Sequence, residues 1–419
     1  MRVLWITNIL FPEAEMLLTG NGELRSSGGW MLSAASALLQ NNDVDLAVST
    51  ISSKVNRLTK VIGNDIVYYI IPLGKGNDSI NTDYCQYWQQ IRTEFQPDLV
   101  HIHGTEYSHG YAYIQSCGND NVVISIQGLT SVCAGYYRSG IALKDIFYNI
   151  TLRDLLKGSI IYDQKSFAHR AKYEVAMIKG VNHIIGRTSW DFAHVKSYNP
   201  NVRYYFCNET LRPEFYLGDF WNYDTCVKHS IFLSQASYPI KGLQQVLKAM
   251  PYVLLHYPDA KVRIAGENIL AADTLYDKLR LSGYAKYIKQ LIKRYHLDSK
   301  ISFIGNLNAE QMKKEYLQAN VFICPSSVEN SPNSLGEAQI LGTPCISAYV
   351  GGTMDMMKGN EENLYRFEEV VMLADKICNI FESRDSQVDM KEIAMRRHNP
   401  DINSRRLYEI YLDIIGGAD

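Results

Sequence analysis

Short apolar runs alternate with amphipathic stretches along almost the whole chain. VLWIT (3–7) is followed by WMLSAASALLQ, whose small and apolar residues recur at helical spacing. LAVST (46–50), IVYYII (66–71), LVHIHG (99–104), VVISIQG (122–128), HIIGRT (183–188) and VRYYF (202–206) are further predicted strands. A second series opens at SIFLSQA (230–236), passes through the helical GLQQVLKAM, and continues with VRIAG (262–266), ISFIG (301–305), VFICP (321–325) and PCISAY (344–349). Strands separated by helices imply parallel sheets with right-handed crossovers. Runs that are apolar throughout suit strands covered on both faces. The two series predict two Rossmann-like α/β domains, 1–207 and 208–419, with the last helix free to cross back. The boundary is expected in 208–228, which holds Pro213 and Gly218. Ligands of doubly wound sheets sit beyond the carboxyl ends of the strands, so two such domains are expected to form one deep cleft.

Composition narrows the function. The 419 residues are 46% hydrophobic and 21% charged, near the globular average, which excludes a disordered chain. Lys and Arg number 42 against 44 Asp and Glu, a net charge of −2. No overall basic field draws the protein to nucleic acid. No apolar run is long enough to span a bilayer. The start, MRVLWITN, has an apolar run too short for a secretory leader, so a cytoplasmic protein is expected. The eight cysteines are scattered, with no C-x-x-C pair. Zinc sites and disulfide frameworks need closer spacing, and buried free thiols in a reducing compartment are expected.

The strongest local signal is CPSSVENSPNSLGEAQILGTPCIS (324–347). A strand ends at Cys324-Pro325, a polar loop carries Glu329, and a helix capped by Asn333 or Ser334 is expected to follow, with Glu337 about one turn inside it. The open amides of such a helix start suit an anion or sugar hydroxyls. Carboxylates only accept hydrogen bonds, and the paired hydroxyls of a ribose or hexose are natural donors to them.

With its following Gly342-Thr343-Pro344, this stretch resembles the retaining glycosyltransferases of the GT-B fold, family 4, whose signature is E-x7-E, a small-residue helix and G-x-P. The resemblance implies that Glu329 contacts the donor sugar, that Glu337 holds the nucleotide ribose, and that amides of Asn330, Ser331, Asn333, Ser334 and Leu335 bind the sugar. Where the family often has Gly-Phe-Gly, this chain has Ser331-Pro332-Asn333, which leaves the donor sugar open.

In SQASYPIKGLQQVLKA (234–249), Lys241-Gly242 stands at a helix start. The family's phosphate-binding Lys precedes Gly at this place, so the resemblance puts the Lys241 ammonium beside the donor diphosphate. A charge-assisted contact of that kind contributes about 1.5–3 kcal/mol. The family's Arg five residues earlier is Ala236 here. Arg187, Arg203 and Arg212 are the nearby substitutes, with Arg212 favoured. Gly28-Gly29 follows a polar loop and precedes a helix, so its backbone can approach a diphosphate closely. The loop is no dinucleotide fingerprint, since Arg25 stands where the third glycine would be.

His101 and His103 are read as facing opposite sides of their strand, with His103 nearer the carboxyl end and the candidate to reach the ligand. Gln127 occupies a strand end where the family commonly has His. Gln can donate to a sugar or acceptor but is no base at neutral pH. Asp43-Val44-Asp45 precedes a strand and reads as a solvated turn, so neither a metal nor a cofactor is expected. From Tyr136 to Lys157 aromatic, aliphatic and basic residues interleave, which suits a packed amphipathic helix, a glycan contact or a lipid-facing one. The basic stretch from Lys278 to Arg294 reads as a solvated face.

The resemblance implies transfer of a sugar from a UDP- or GDP-sugar to a glycan or lipid-linked acceptor, in bacterial surface polysaccharide synthesis, with Glu329, Lys241 and His103 as catalytic candidates. A peripheral contact with the inner face of the cytoplasmic membrane is among the expectations. A nucleotide-sugar epimerase of the same fold and a silent nucleotide-binding subunit stay open as alternatives.

Overall fold

The computed structural model describes residues 1–20, 29–74, 82–271, 274, 279–384 and 388–417. The apolar runs form two sheets. The first contains β1 (Arg2–Thr7), β2 (Asp45–Ser52), β3 (Thr59–Ile62), β4 (Ile66–Pro72), β5 (Leu99–His103), β6 (Val122–Ser125), β7 (His183–Gly186) and β8 (Arg203–Phe206), in the order β3-β4-β2-β1-β5-β6-β7-β8. The second contains β9 (Ser230–Leu233), β10 (Lys261–Ile264), β11 (Ile301–Phe303), β12 (Val321–Cys324), β13 (Cys345–Ala348) and β14 (Leu364–Tyr365), in the order β11-β10-β9-β12-β13-β14. Neighbours run parallel, except that β3 pairs antiparallel with β4. The sequence pattern does not predict β3 or β14. β3 is a four-residue edge strand with alternating exposure, and β14 has two residues, so neither shows a continuous apolar run.

The chain divides into two compact units. One comprises Met1–Val132, Phe167–Arg212 and His398–Asp419, and the other Cys133–Ser166 and Pro213–Arg397. This differs from a single cut after residue 207, because two segments cross over. The first, 133–166, is fastened to the second unit by side chains. Ser139 Oγ and Ser327 Oγ lie 2.8 Å apart, Gln244 Nε2 donates to the Ser139 carbonyl at 3.0 Å, and the Gly283 amide donates to Asp154 Oδ2 at 2.8 Å.

The second crossing is the helix Pro400–Gly416. Asn399 caps it by accepting from the Ile402 amide at 3.0 Å, and Pro400 occupies its first turn. Leu407, Ile410, Tyr411 and Ile414 recur at helical spacing and are buried. They join Val3, Trp5, Phe11 and Tyr68 in a core on one face of the first sheet. Leu4 and Ile6 point to the other face, where Trp88, Ile102 and Ile124 form a second core.

A polar chain runs through the first of these cores. Trp5 Nε1 donates to the Tyr411 hydroxyl at 3.0 Å, that hydroxyl lies 2.6 Å from His101 Nδ1, and His101 Nε2 lies 2.5 Å from Ser125 Oγ. Indole only donates. Every bond is satisfied when the Tyr411 hydroxyl donates to Nδ1 and the His101 Nε2–H donates to Ser125 Oγ. Burial, with His103 beside it, holds the His101 pKa well below the usual range. His101 and His103 share a face, with ring centroids 3.8 Å apart. The expected opposite orientation is therefore corrected, since residues two apart in a strand point the same way.

Among the described residues none of the eight cysteines is joined in a disulfide. Cys117, Cys226, Cys324 and Cys345 are buried, whereas Cys85, Cys133, Cys207 and Cys378 are only partly so, which corrects the expectation of uniformly buried thiols.

Tyr411→Phe strands the Trp5 N–H and the His101 ring nitrogen in a dry core. An unsatisfied buried group costs about 1–3 kcal/mol, so the substitution is expected to lower stability by roughly 2–4 kcal/mol in urea denaturation. A loss no larger than that of an exposed Tyr→Phe control would show that the chain contributes nothing.

Candidate functional site

The second unit assembles its candidate site around one contact. β12 ends at Cys324, and the turn Pro239–Lys241 is pressed against the residues that follow. The Ser327 amide donates to the Ile240 carbonyl at 2.8 Å. Gly242 adopts φ +75°, and a Cβ there would collide with the Pro325 carbonyl oxygen, so only glycine fits. This closeness delivers Lys241 Nζ to within 2.6 Å of Glu329 Oε1. Ser326 Oγ donates to the same oxygen at 2.7 Å. The Tyr238 ring centroid lies 5.8 Å from the ammonium. The Glu329 main chain is also held. Its carbonyl accepts from the Gly352 amide at 3.0 Å, and a Cβ on Gly351 would overlap that carbonyl.

The Lys241 and Glu329 side chains are 19% and 15% exposed. Burial works against the Lys241 ammonium, the adjacent Glu329 carboxylate more than offsets it, and the net result is a raised pKa. Lysine is therefore a fixed cation at neutral pH. Burial, with the same carboxylate adding to it, pushes the nearby Cys324 thiol up to about 12, which leaves the thiol without nucleophilic character.

The helix Asn333–Leu341 begins four residues after Glu329. Its cap is Pro332, not Asn333 or Ser334. Proline fixes the extended entry at φ −68°, and its carbonyl accepts from the Leu335 and Gly336 amides at 3.0 and 3.3 Å. Leu335 is fully buried, so it serves packing more than recognition. Asn333 and Ser334 remain as helix-start positions, whose amides lack an acceptor one turn back. Asn333 Oδ1 is buried without a hydrogen-bond partner. Asn330 is buried, and Ser331 Oγ lies 3.4 Å from Met356 Sδ. Glu337 is buried in the second turn and accepts from the Tyr316 hydroxyl at 3.3 Å.

The candidates in the first unit have different fates. Gly28 lies outside the described residues. Gly29 opens the helix Gly29–Asn41, and the Arg212 stem packs so closely that a Cβ at Gly29 would lie 2.8 Å from Arg212 Cδ. Arg187 follows β7 at the carboxyl edge but is buried. It donates to the Ile126 carbonyl at 2.7 Å, touches Gln127 Oε1 at 3.3 Å and forms an ion pair with Glu209, so its charge is already compensated. Arg203 begins β8 at the amino edge and pairs with Asp413 at 2.8 Å, which removes it as a phosphate candidate.

His103 is 5% exposed, and neither ring nitrogen has a hydrogen-bond partner among the described residues. It borders a cavity of about 50 Å³ lined also by Trp30, Gln127, Arg187 and Glu209. Burial, helped by the Arg187 charge, lowers its pKa to about 3, so it is a neutral ring at physiological pH.

Sequence reasoning missed Ser326, the Gly351-Gly352 pair and Glu106. Gly351-Gly352 stands directly before the helix Thr353–Met356, and a glycine pair ahead of a helix is the signal that singled out Gly28-Gly29. Glu106 stands three residues past β5. Its carboxylate accepts from the Gly128 amide at 3.2 Å and from Asn8 Nδ2 at 3.4 Å. Burial, with Glu174 adding to it, pushes its pKa up to about 7 against the pull of the Gly128 amide.

A carboxyl whose folded pKa exceeds its unfolded value binds more protons in the native state. Stability therefore falls as pH rises between the two values and levels off above the folded one. Glu106→Gln is expected to remove this fall, so that its stability advantage over wild type opens between about pH 4.5 and 7. Urea midpoints for both proteins across that range check it, and parallel profiles would reject the shifted carboxyl.

Residues 227–397 match the family Glycosyl transferases group 1. A stretch of 131 residues is 29% identical to an uncharacterized glycosyltransferase of Methanocaldococcus jannaschii, spanning 31% of this chain and 30% of that protein. Sucrose-phosphate synthase from Thermosynechococcus elongatus superposes with a TM-score of 0.72 over the whole of both chains at 14% identity. HepE from Anabaena, solved in complex with UDP and glucose, superposes with a TM-score of 0.66 over 97% of this chain and 98% of that one at 12% identity. Residues 227–397 thus resemble group 1 glycosyl transferases, and the fold of the chain is that of the GT-B glycosyltransferases.

Proposed function

We propose that the protein moves a sugar from a nucleoside diphosphate sugar to an acceptor hydroxyl with retention of configuration, as a family 4 enzyme does. The contact that carries this reading is Lys241 Nζ at 2.6 Å from Glu329 Oε1, beside a polar loop and a helix start within the domain that matches group 1 glycosyl transferases. The carboxylate keeps the ammonium in place. A bound donor brings a diphosphate that competes for the ammonium, and Glu329 is then available to accept from a sugar hydroxyl. Glu337 accepts from the ribose hydroxyls. Amides around Asn330, Ser331, Asn333 and Ser334 orient the sugar.

In the transfer step the bond between the anomeric carbon and the phosphate oxygen breaks, and its electron pair leaves with the diphosphate. The acceptor oxygen bonds to that carbon from the same face and gives its proton to the departing phosphate. Lys241 and the helix-start amides stabilise the charge that develops on the leaving group. The Anabaena neighbour was solved with UDP and glucose, which favours a UDP-sugar over a GDP-sugar. The acceptor proposed is a glycan or lipid-linked saccharide of bacterial surface polysaccharide synthesis.

Glu337→Ala is expected to weaken nucleotide binding more than Glu329→Ala, measured by calorimetry with UDP and GDP. Glu329→Ala is expected to reduce turnover by about 3 kcal/mol of transition-state stabilisation, the size of one preorganised group. Equal loss of nucleotide affinity in both variants would overturn this division of roles.

A further inference from the structure

The segment that crosses into the second unit carries a dense exposed apolar surface. Two short helices, Leu143–Tyr148 and Leu152–Lys157, present Leu143, Phe147, Tyr148, Leu152, Leu155 and Leu156 with exposures from 48% to 78%. Scattered apolar side chains are ordinary on protein surfaces, but six exposed ones within residues 143–156 are a concentration of the kind that marks an interaction site.

The segment is firmly seated. Ile146 and Ile160 point inward and are buried. Thr151 and Asp154 form a reciprocal cap at the start of the second helix. The Asp154 carboxylate also accepts from the Gly283 amide, at the start of the helix Gly283–Arg294. Lys286 of that helix donates to the Tyr148 carbonyl at 3.3 Å, with its ammonium 5.8 Å from the Tyr148 ring centroid. The apolar side chains are therefore displayed outward from a fixed base.

Charge says what covers them. The helix Gly283–Arg294 contains Lys286, Lys289, Lys293 and Arg294 and no acid. Residues 143–165 add Lys144, Arg153, Lys157 and Lys165 against Asp145, Asp154 and Asp163, and Asp154 is buried and engaged as described. Eight bases against three acids stand together in a chain of net charge −2. Long lysine side chains beside exposed leucines match a surface that is anionic outside and apolar just beneath. A second copy would instead set two basic surfaces against each other. Among the described residues no helix is long and apolar enough to cross a membrane, so the contact lies on the bilayer.

We propose that this surface docks the protein on anionic lipid bilayers, with Phe147, Leu152, Leu155 and Leu156 in the acyl boundary and the neighbouring lysines at the phosphates. The inference stands apart from the glycosyl transfer reading.

Cosedimentation of the full chain with phosphatidylcholine vesicles, with and without phosphatidylglycerol, tests it. Binding is expected only with phosphatidylglycerol, and it should weaken as salt is raised. Leu155→Glu with Leu156→Glu, and separately Lys289→Glu with Lys293→Glu, should each weaken binding at least about tenfold. These side chains are exposed, and unchanged circular dichroism and UDP calorimetry would show that the variants remain folded. Failure of the wild type to bind phosphatidylglycerol vesicles overturns the proposal. So does a concentration-dependent dimer in sedimentation equilibrium that the leucine variant abolishes, which assigns the surface to a second copy.

Discussion

The second unit is organised to hold an ammonium against a carboxylate out of full contact with water. Lys241 and Glu329 are 88 residues apart in the chain, and each lies on a connection that follows a strand of the same sheet. The local oddities of these connections serve that meeting. Gly242 lets one loop press on the Pro325 carbonyl, and Gly351-Gly352 closes over the main chain of Glu329. Ser326 supplies another donor to the shared oxygen. A half-buried pair of this sort adds little net stability, because desolvation offsets much of the attraction, but leaving either member alone is costly. The pair thus fixes geometry and charge more than it strengthens the fold, which suits a place where a polyanionic ligand must be received.

The first unit uses buried polarity differently. His101 and His103 sit beside tryptophan and tyrosine rings, where burial keeps both neutral. His101 is a link in a satisfied hydrogen-bond chain, while His103 borders a small cavity with unpartnered nitrogens. One ring is thereby committed to holding the terminal helix in register. The other retains hydrogen-bonding capacity that the described residues do not use.

Much of this architecture was legible because the relevant physics is local. Central parallel strands need apolar side chains on both faces, so β1, β5 and β12 announce themselves as continuous runs. The Glu329–Glu337 motif occupies one contiguous stretch, 324–347, and its strand–loop–helix order follows directly. What depended on distant partners was hidden. The second-unit membership of 133–166 rests on Asp154 finding Gly283 and Ser139 finding Ser327. Compensation of Arg187 rests on Glu209. Glu106 looks like any loop acid until burial raises its pKa. The helix cap at Pro332 shows the opposite limit, where a rigid backbone prevailed over side-chain capping preference.

The bond between Trp5 and Tyr411 spans 406 positions, which has a consequence for synthesis on the ribosome. β1 is made long before its acceptor, so its indole waits through the synthesis of the 406 positions that separate the two. The region that resembles group 1 glycosyl transferases, ending at residue 397, is translated in full before that partner appears. Vectorial synthesis therefore favours the later-encoded unit reaching its final packing first, while the amino-terminal sheet keeps one flank open to water, and to chaperones, until the closing helix arrives.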